Sequence, residues 1–156
     1  MTGRTSGRWV AATVLGGALL AGGASEASAQ SGNVQFITTG GDVRCDVIMI
    51  DGGPHVTCVS EGARSTMPEC TPPQEKIPAV QVLGSGPGDV LCWNQGLVGT
   101  PRVLHPGTLG NAHGVTVIAD PLGGLHVLSP ALVYVAYAGP NTVGTSPLAV
   151  SSASSR

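Results

Sequence analysis

Apolar and polar residues alternate with a period of two along Val34 to Thr38, Val43 to Ile50 and Pro54 to Val59, and many of the apolar ones are β-branched. This is the pattern of strands with one buried face. Asp51-Gly52 separates the second run from the third, and both residue types tolerate the positive φ that a two-residue hairpin turn requires. The turn fixes the register: Ile50 faces Gly53, Met49 faces Pro54, Val47 faces Val56, and Cys45 falls opposite Cys58. Counted from the turn, Cys45/Cys58 is a non-hydrogen-bonded pair with α-carbons about 4.5 Å apart, within reach of a disulfide. Alternation places Cys45, Val47, Met49, Val56 and Cys58 on one face. Arg44, Asp46, His55 and Thr57 lie on the other.

A second tight turn at Gly40-Gly41 puts Phe36 opposite Cys45, which extends the hairpin to a three-strand meander over residues 34–59. Ser60 to Pro78 loses all periodicity and is punctuated by Gly62, Pro68, Pro72, Pro73 and Pro78. Ala79 to Leu83 and Val90 to Trp93 are the next strands, with Leu91 and Trp93 sharing a face. The Gly84–Asp89 connection is glycine-rich, but no helix pattern and no Lys-Ser or Lys-Thr follows to complete a phosphate-binding loop. Arg102 to Leu104, Val115 to Ala119, Leu125 to Leu128 and Ala131 to Ala138 complete the strand candidates, the middle two joined by the turn residues Asp120 to Gly124. Short strands with turns every eight to twelve residues indicate an all-β fold, either a small antiparallel barrel or a two-layer sandwich built from hairpins. From Gly139 to Arg156 the chain is rich in Gly, Pro, Ser and Thr, and a disordered tail is expected.

The first 29 residues have a different character. Arg4 and Arg8 precede a small apolar run, Val10 to Ala24, and Ala27-Ser28-Ala29 supplies a small-x-small cleavage pattern, together the organisation of a secretory signal peptide. The run is shorter than the ~20 apolar residues of a membrane span and is broken by four glycines. Residues 1–29 are therefore expected to be removed near Ala29, leaving a β-domain over 30–138 with no membrane span. Their loss shifts the formal charge from −2 to −3. No basic run interleaved with aromatics survives, which argues against a nucleic-acid partner.

All four cysteines, Cys45, Cys58, Cys70 and Cys92, lie in the exported part, and an even number in such a chain implies two disulfides. Three connectivities are possible. Only the hairpin register prefers one, Cys45 with Cys58 and hence Cys70 with Cys92. The order Phe36, Val43-Arg44-Cys45-Asp46, Val56-Thr57-Cys58, a Pro-containing loop ending in Cys70, and Val90-Leu91-Cys92 resembles the framework of small secreted Cys-containing β proteins of unknown function from high-GC Gram-positive bacteria. The resemblance implies export, a compact β fold and an extracellular or cell-envelope location, and carries over no catalytic residue.

Candidate chemistry is sparse. Cys92-Trp93-Asn94-Gln95-Gly96 sets an amphipathic ring beside two amides at a strand end, a composition suited to holding a sugar or a partner peptide, so Trp93, Asn94 and Gln95 are the candidate binding residues. A tryptophan covering the core beside a disulfide is the bland alternative. His55, His105, His113 and His126 raise a metal or acid/base reading, in which a turn closed by Asp120 facing Leu125 would bring His126 opposite Ala119 and near Asp120. Zinc sites draw on closely spaced ligand pairs that are missing here, so no metal or other cofactor is expected. Neither Ser60 nor Ser129 sits in a nucleophile elbow, and Glu61, Glu69 and Glu75 fall in the irregular segment. The expectation is a non-enzymatic binding or structural module with an envelope protein or carbohydrate as partner. The alternative is a small secreted hydrolase or metal-dependent enzyme using His113, His126 and Asp120.

Overall fold

A computed structural model describes residues 32–70, 75–84, 88–129 and 132–147. The proposed signal peptide and residues 148–156 lie outside the described residues. Among the described residues eleven strands form two sheets, and the barrel alternative gives way to a sandwich. The first sheet contains β1 (Val34–Thr38), β2 (Val43–Ile50), β3 (Gly53–Ser60), β4 (Ile77–Leu83), β5 (Gly88–Trp93) and β6 (Thr100–Leu104), in the order β5-β4-β3-β2-β1-β6. The second contains β7 (Leu109–Ala112), β8 (Val115–Ala119), β9 (Leu125–Ser129), β10 (Leu132–Gly139) and β11 (Thr142–Pro147), in the order β11-β10-β9-β8-β7.

The hairpin has the register its turn dictates. Asp51 and Gly52 take φ of 50° and 80°, the paired positive values of a type I′ turn. Ile50 pairs with Gly53, Val47 with Val56 and Cys45 with Cys58, while Phe36 pairs with Cys45 on the other side. Both expected disulfides are formed: Cys45–Cys58 with α-carbons 4.0 Å apart, and Cys70–Cys92 with α-carbons 5.2 Å apart. Val34, Phe36, Val43, Cys45, Val47, Val56, Cys58, Val80 and Val82 point inward against Val115, Val117, Leu125, Val127, Ala136 and Ala138 of the second sheet. Met49, placed on the buried face by alternation, is 44% exposed. Ile50 at the hairpin tip is exposed as well, and period two decides facing, not coverage.

Three further expectations are corrected. β6 pairs with β1 in parallel, whereas tight turns suggest pairing between sequence neighbours. The five-residue turn after β8 closes on Gly124, whose carbonyl accepts the Asp120 N–H at 2.9 Å. Leu125 therefore faces Ala119 and His126 faces Ile118, one residue from the register expected. Finally, the tail does not begin at Gly139. A turn at Pro140-Asn141 leads into β11, which pairs along β10 from Gly139/Thr142 to Tyr134/Pro147. Val143 is buried in the core, Ser60 Oγ donates to the Gly139 carbonyl at 2.6 Å, and Thr66 Oγ1 donates to that of Asn141 at 2.5 Å. Such long-range contacts order a segment whose composition alone reads as coil.

Candidate functional site

The outer face of the first sheet is not a plain solvated surface. β5 and β6 are its two opposite edges, so the chain between Trp93 and Thr100 must cross five strand spacings of about 4.8 Å, roughly 24 Å. The connection lies as a strap across the face that carries Asp46, Thr57 and Gln81. One carboxylate oxygen of Asp46, Oδ2, accepts the backbone N–H groups of Val98 at 2.5 Å and Gly99 at 3.2 Å. Past them, the Thr100 N–H donates to the Asn33 carbonyl at 2.8 Å. Asp46 ties the strap to the middle of the sheet.

Beneath the strap runs a transverse row of polar side chains set by cross-strand register, Gln35, Asp46, Thr57, Gln81 and Asp89, one from each of β1 to β5. Asp46 is only 4% exposed, and Gln35 and Thr57 are also buried. Gln81 Nε2 donates to Thr57 Oγ1 at 3.1 Å. A cavity of about 230 Å³ opens beside this row, floored by Asp46, Thr57 and Gln81, flanked by Ile48, Ile50 and His55, and walled by Trp93 and the strap residues Gln95 to Val98. Of the three binding candidates read from sequence, Trp93 and Gln95 line it. Asn94 is exposed and does not.

Two polar atoms at this site have no hydrogen-bond partner among the described residues, although both are closed to solvent: Asp46 Oδ1 and the indole Nε1 of Trp93. Leaving such a group unmade costs about 1–3 kcal/mol, and more when it is charged. Alternation assigns Asp46 to the solvent face, and nothing local announces a segment fifty residues later that covers it. The crossing depends on Gly99, where a Cβ would run into the Val34 and Gln35 backbone. Gly99→Ala is expected to lift the strap from β1, to lower stability by about 1–2 kcal/mol, and to expose Trp93, read as a red shift of its fluorescence.

The alternative constellation is only partly assembled. His126 Nε2 lies 3.0 Å from Asp120 Oδ2, and the His126 ring sits 4.6 Å from that of Tyr137. His113 is at the opposite end of β8, where its Nε2 meets the Gly32 carbonyl at 3.0 Å. His55 borders the cavity and His105 is exposed in a turn. No cluster of three or more His, Cys, Asp or Glu side chains suited to a metal occurs among the described residues. Asp120 is occupied in holding its own turn: Oδ1 accepts the N–H groups of Leu122 at 2.7 Å and Gly124 at 2.9 Å. Ser60 Oγ is engaged with the Gly139 carbonyl.

Burial pushes the Asp120 carboxyl up, but the Gly124 and Leu122 N–H groups and the His126 ring together outweigh it and hold it below the usual carboxylate range. Burial, and then the charge of Asp120 and the hydrogen bond to it, push the Tyr137 hydroxyl up. A depressed carboxylate contributes stability that is present above its unfolded pKa of about 3.9 and is lost as pH falls through the folded value. A raised phenol contributes stability that is present below about pH 10 and is lost as pH rises through its folded value. Asp120→Asn is thus expected to flatten both the acid and the alkaline limb of stability against pH. Urea unfolding across a pH series checks it, and limbs unchanged by the substitution would overturn the assignment.

The two disulfides, with no helix among the described residues long and apolar enough to cross a membrane, are consistent with an extracellular location. No family model, curated protein or solved structure matches the chain.

Proposed function

We propose that the protein is an exported, non-enzymatic binding module, acting outside the cell or in its envelope, whose ligand occupies the strapped cavity on the outer face of the first sheet. The observation that carries this reading is the pairing of a concave site with two buried polar groups lacking partners, Asp46 Oδ1 and Trp93 Nε1. Ligand sites are concave and mainly apolar, with a few fixed polar groups, and a residue pair that costs stability without a partner is suited to one arriving from outside. The hydrolase or metal-enzyme reading is supported by less, because His113 stands apart from the Asp120–His126 pair. Export is supported by the leader pattern of residues 1–29 and by the disulfides.

A screen of small polar compounds against the ¹⁵N-labelled full chain tests the reading. Hits are expected to shift the Trp93 indole signal and the amides of Asp46 and Gln95 to Gly99, and to leave Asp120 to His126 unmoved. Hits gathering at Asp120 and His126, or turnover abolished by His126→Ala, would favour the enzyme instead.

A further inference from the structure

Resting on that reading, we infer that the strapped cavity takes a primary ammonium group on a short aliphatic stem, the chemistry shared by a small alkylamine and a lysine side chain. Among the described residues, Asp46 supplies the only formal charge on the cavity lining; His55 is its one other titratable residue, and no lysine or arginine lines it. Arg44, two residues along the same strand, does not line the cavity: its Nη2 meets Glu61 at 3.1 Å, and its Nε is buried without a partner among the described residues. A buried carboxylate is ordinarily matched by a cation or a full set of donors. Here Oδ2 holds two donors from the strap and Oδ1 holds none. An ammonium supplies both the charge and the missing donor.

The walls select what carries that charge. Ile48, Ile50 and Leu97 give the stem an apolar lining, as long cationic side chains require along their methylenes. The Trp93 N–H, closed to solvent like Asp46 Oδ1, becomes a donor to a carbonyl or hydroxyl oxygen farther along the ligand once the strap shifts. Size agrees: about 230 Å³ corresponds to roughly seven or eight waters at about 30 Å³ each, room for an aminobutyl group. Oδ1 is closed to water in this conformation, so entry requires the strap to shift. The strap is glycine-containing at Gly96 and Gly99, and Asp46 grips it through the other oxygen.

The test is titration of the ¹⁵N-labelled full chain at neutral pH with n-butylamine, with N-acetyl-lysine methylamide, and with n-butanol as the neutral isostere. Either amine is expected to shift the Trp93 indole and the Val98 and Gly99 amides, with n-butanol at least about tenfold weaker. Asp46→Asn keeps an oxygen for the strap N–H groups and removes the charge; it is expected to preserve the spectrum's dispersion and weaken amine binding by about tenfold or more. Tighter binding of the lysine derivative assigns the ligand to a side chain of a partner, and tighter binding of butylamine assigns it to a free amine; both support the inference. Equal binding of n-butanol at Trp93 overturns the ammonium assignment while leaving the cavity reading intact. Amine shifts that persist undiminished in the Asp46→Asn protein, or no shift with any probe, overturn it as well. In the last case the compound screen decides separately whether the cavity binds anything.

Discussion

Reduction of both disulfides is expected to lower the free energy of unfolding by about 6 kcal/mol, about 3 kcal/mol for each closed loop in the chain-entropy account. The bridges span sequence separations of 13 and 22, lengths over which that contribution changes little. The loss is large against a net stability of about 5–15 kcal/mol for a domain of this kind. The interior offers little to offset it: Phe36 and Leu125 are its largest fully buried side chains, and most of the rest are valines and alanines. The two bridges are not equivalent. Cys45 and Cys58 are completely buried between the sheets, so the double alanine variant loses packing as well as the cross-link. Cys70–Cys92 ties a short 3₁₀ turn, Pro68–Cys70, to the edge strand β5, and its removal is expected to act mainly through the loop. Urea unfolding of the oxidised protein, the two double alanine variants and the reduced protein gives the comparison. An unfolding midpoint that does not move under reductant would show that packing alone holds the sandwich.

The same comparison separates what local chemistry encodes from what it does not. Asp51-Gly52 encodes a backbone conformation, and once that turn is fixed, period two carries the register to Cys45/Cys58 with no further information. The second disulfide then follows by exclusion. β6 has no such local signal: four of its five residues are exposed, and its parallel partner β1 lies over sixty residues earlier. β7, Leu-Gly-Asn-Ala, is too short and too mixed to show a period; Gly110 is there because a Cβ would strike the ring of Phe36. The register slip at β8–β9 arises because the Asp120 side chain, bonding two N–H groups of its own turn, tightens the loop by a residue. At the site, Trp93 and Gln95 were legible because their residue types are unusual at a strand end. The burial of Asp46 was not, since it comes from the strap, and the strap's path is a consequence of strand order rather than of any residue near Asp46.

Gly62→Ala is expected to cost about 3 kcal/mol. A Cβ at Gly62 would run into the carbonyl oxygen of Pro140, with the Pro140 carbonyl and α-carbons close behind. Neither side can yield by rotating a side chain, because the colliding atoms are backbone. Nor can either backbone easily move. Ser60 Oγ accepts the Ala63 N–H at 3.2 Å and donates to Gly139, Thr66 Oγ1 donates to Asn141, and the Thr66 and Met67 N–H groups both reach the Ala63 carbonyl. These bonds clamp the turn after β3 in the first sheet to the β10–β11 turn of the second. The clamp sits at one end of the sandwich, so pushing it open separates the sheets where β11 depends on the first sheet for its order. The added methyl group should therefore loosen β11 out of proportion to its size, with amide exchange in Thr142 to Thr145 accelerating more than in β2 or β3. If urea unfolding of Gly62→Ala matches the parent within about 0.5 kcal/mol, the two turns are not held together as tightly as this geometry requires. Comparison with Gly99→Ala sharpens the point: there the collision is also with backbone, but the strap can rise from β1, and the smaller expected loss measures how much freer it is.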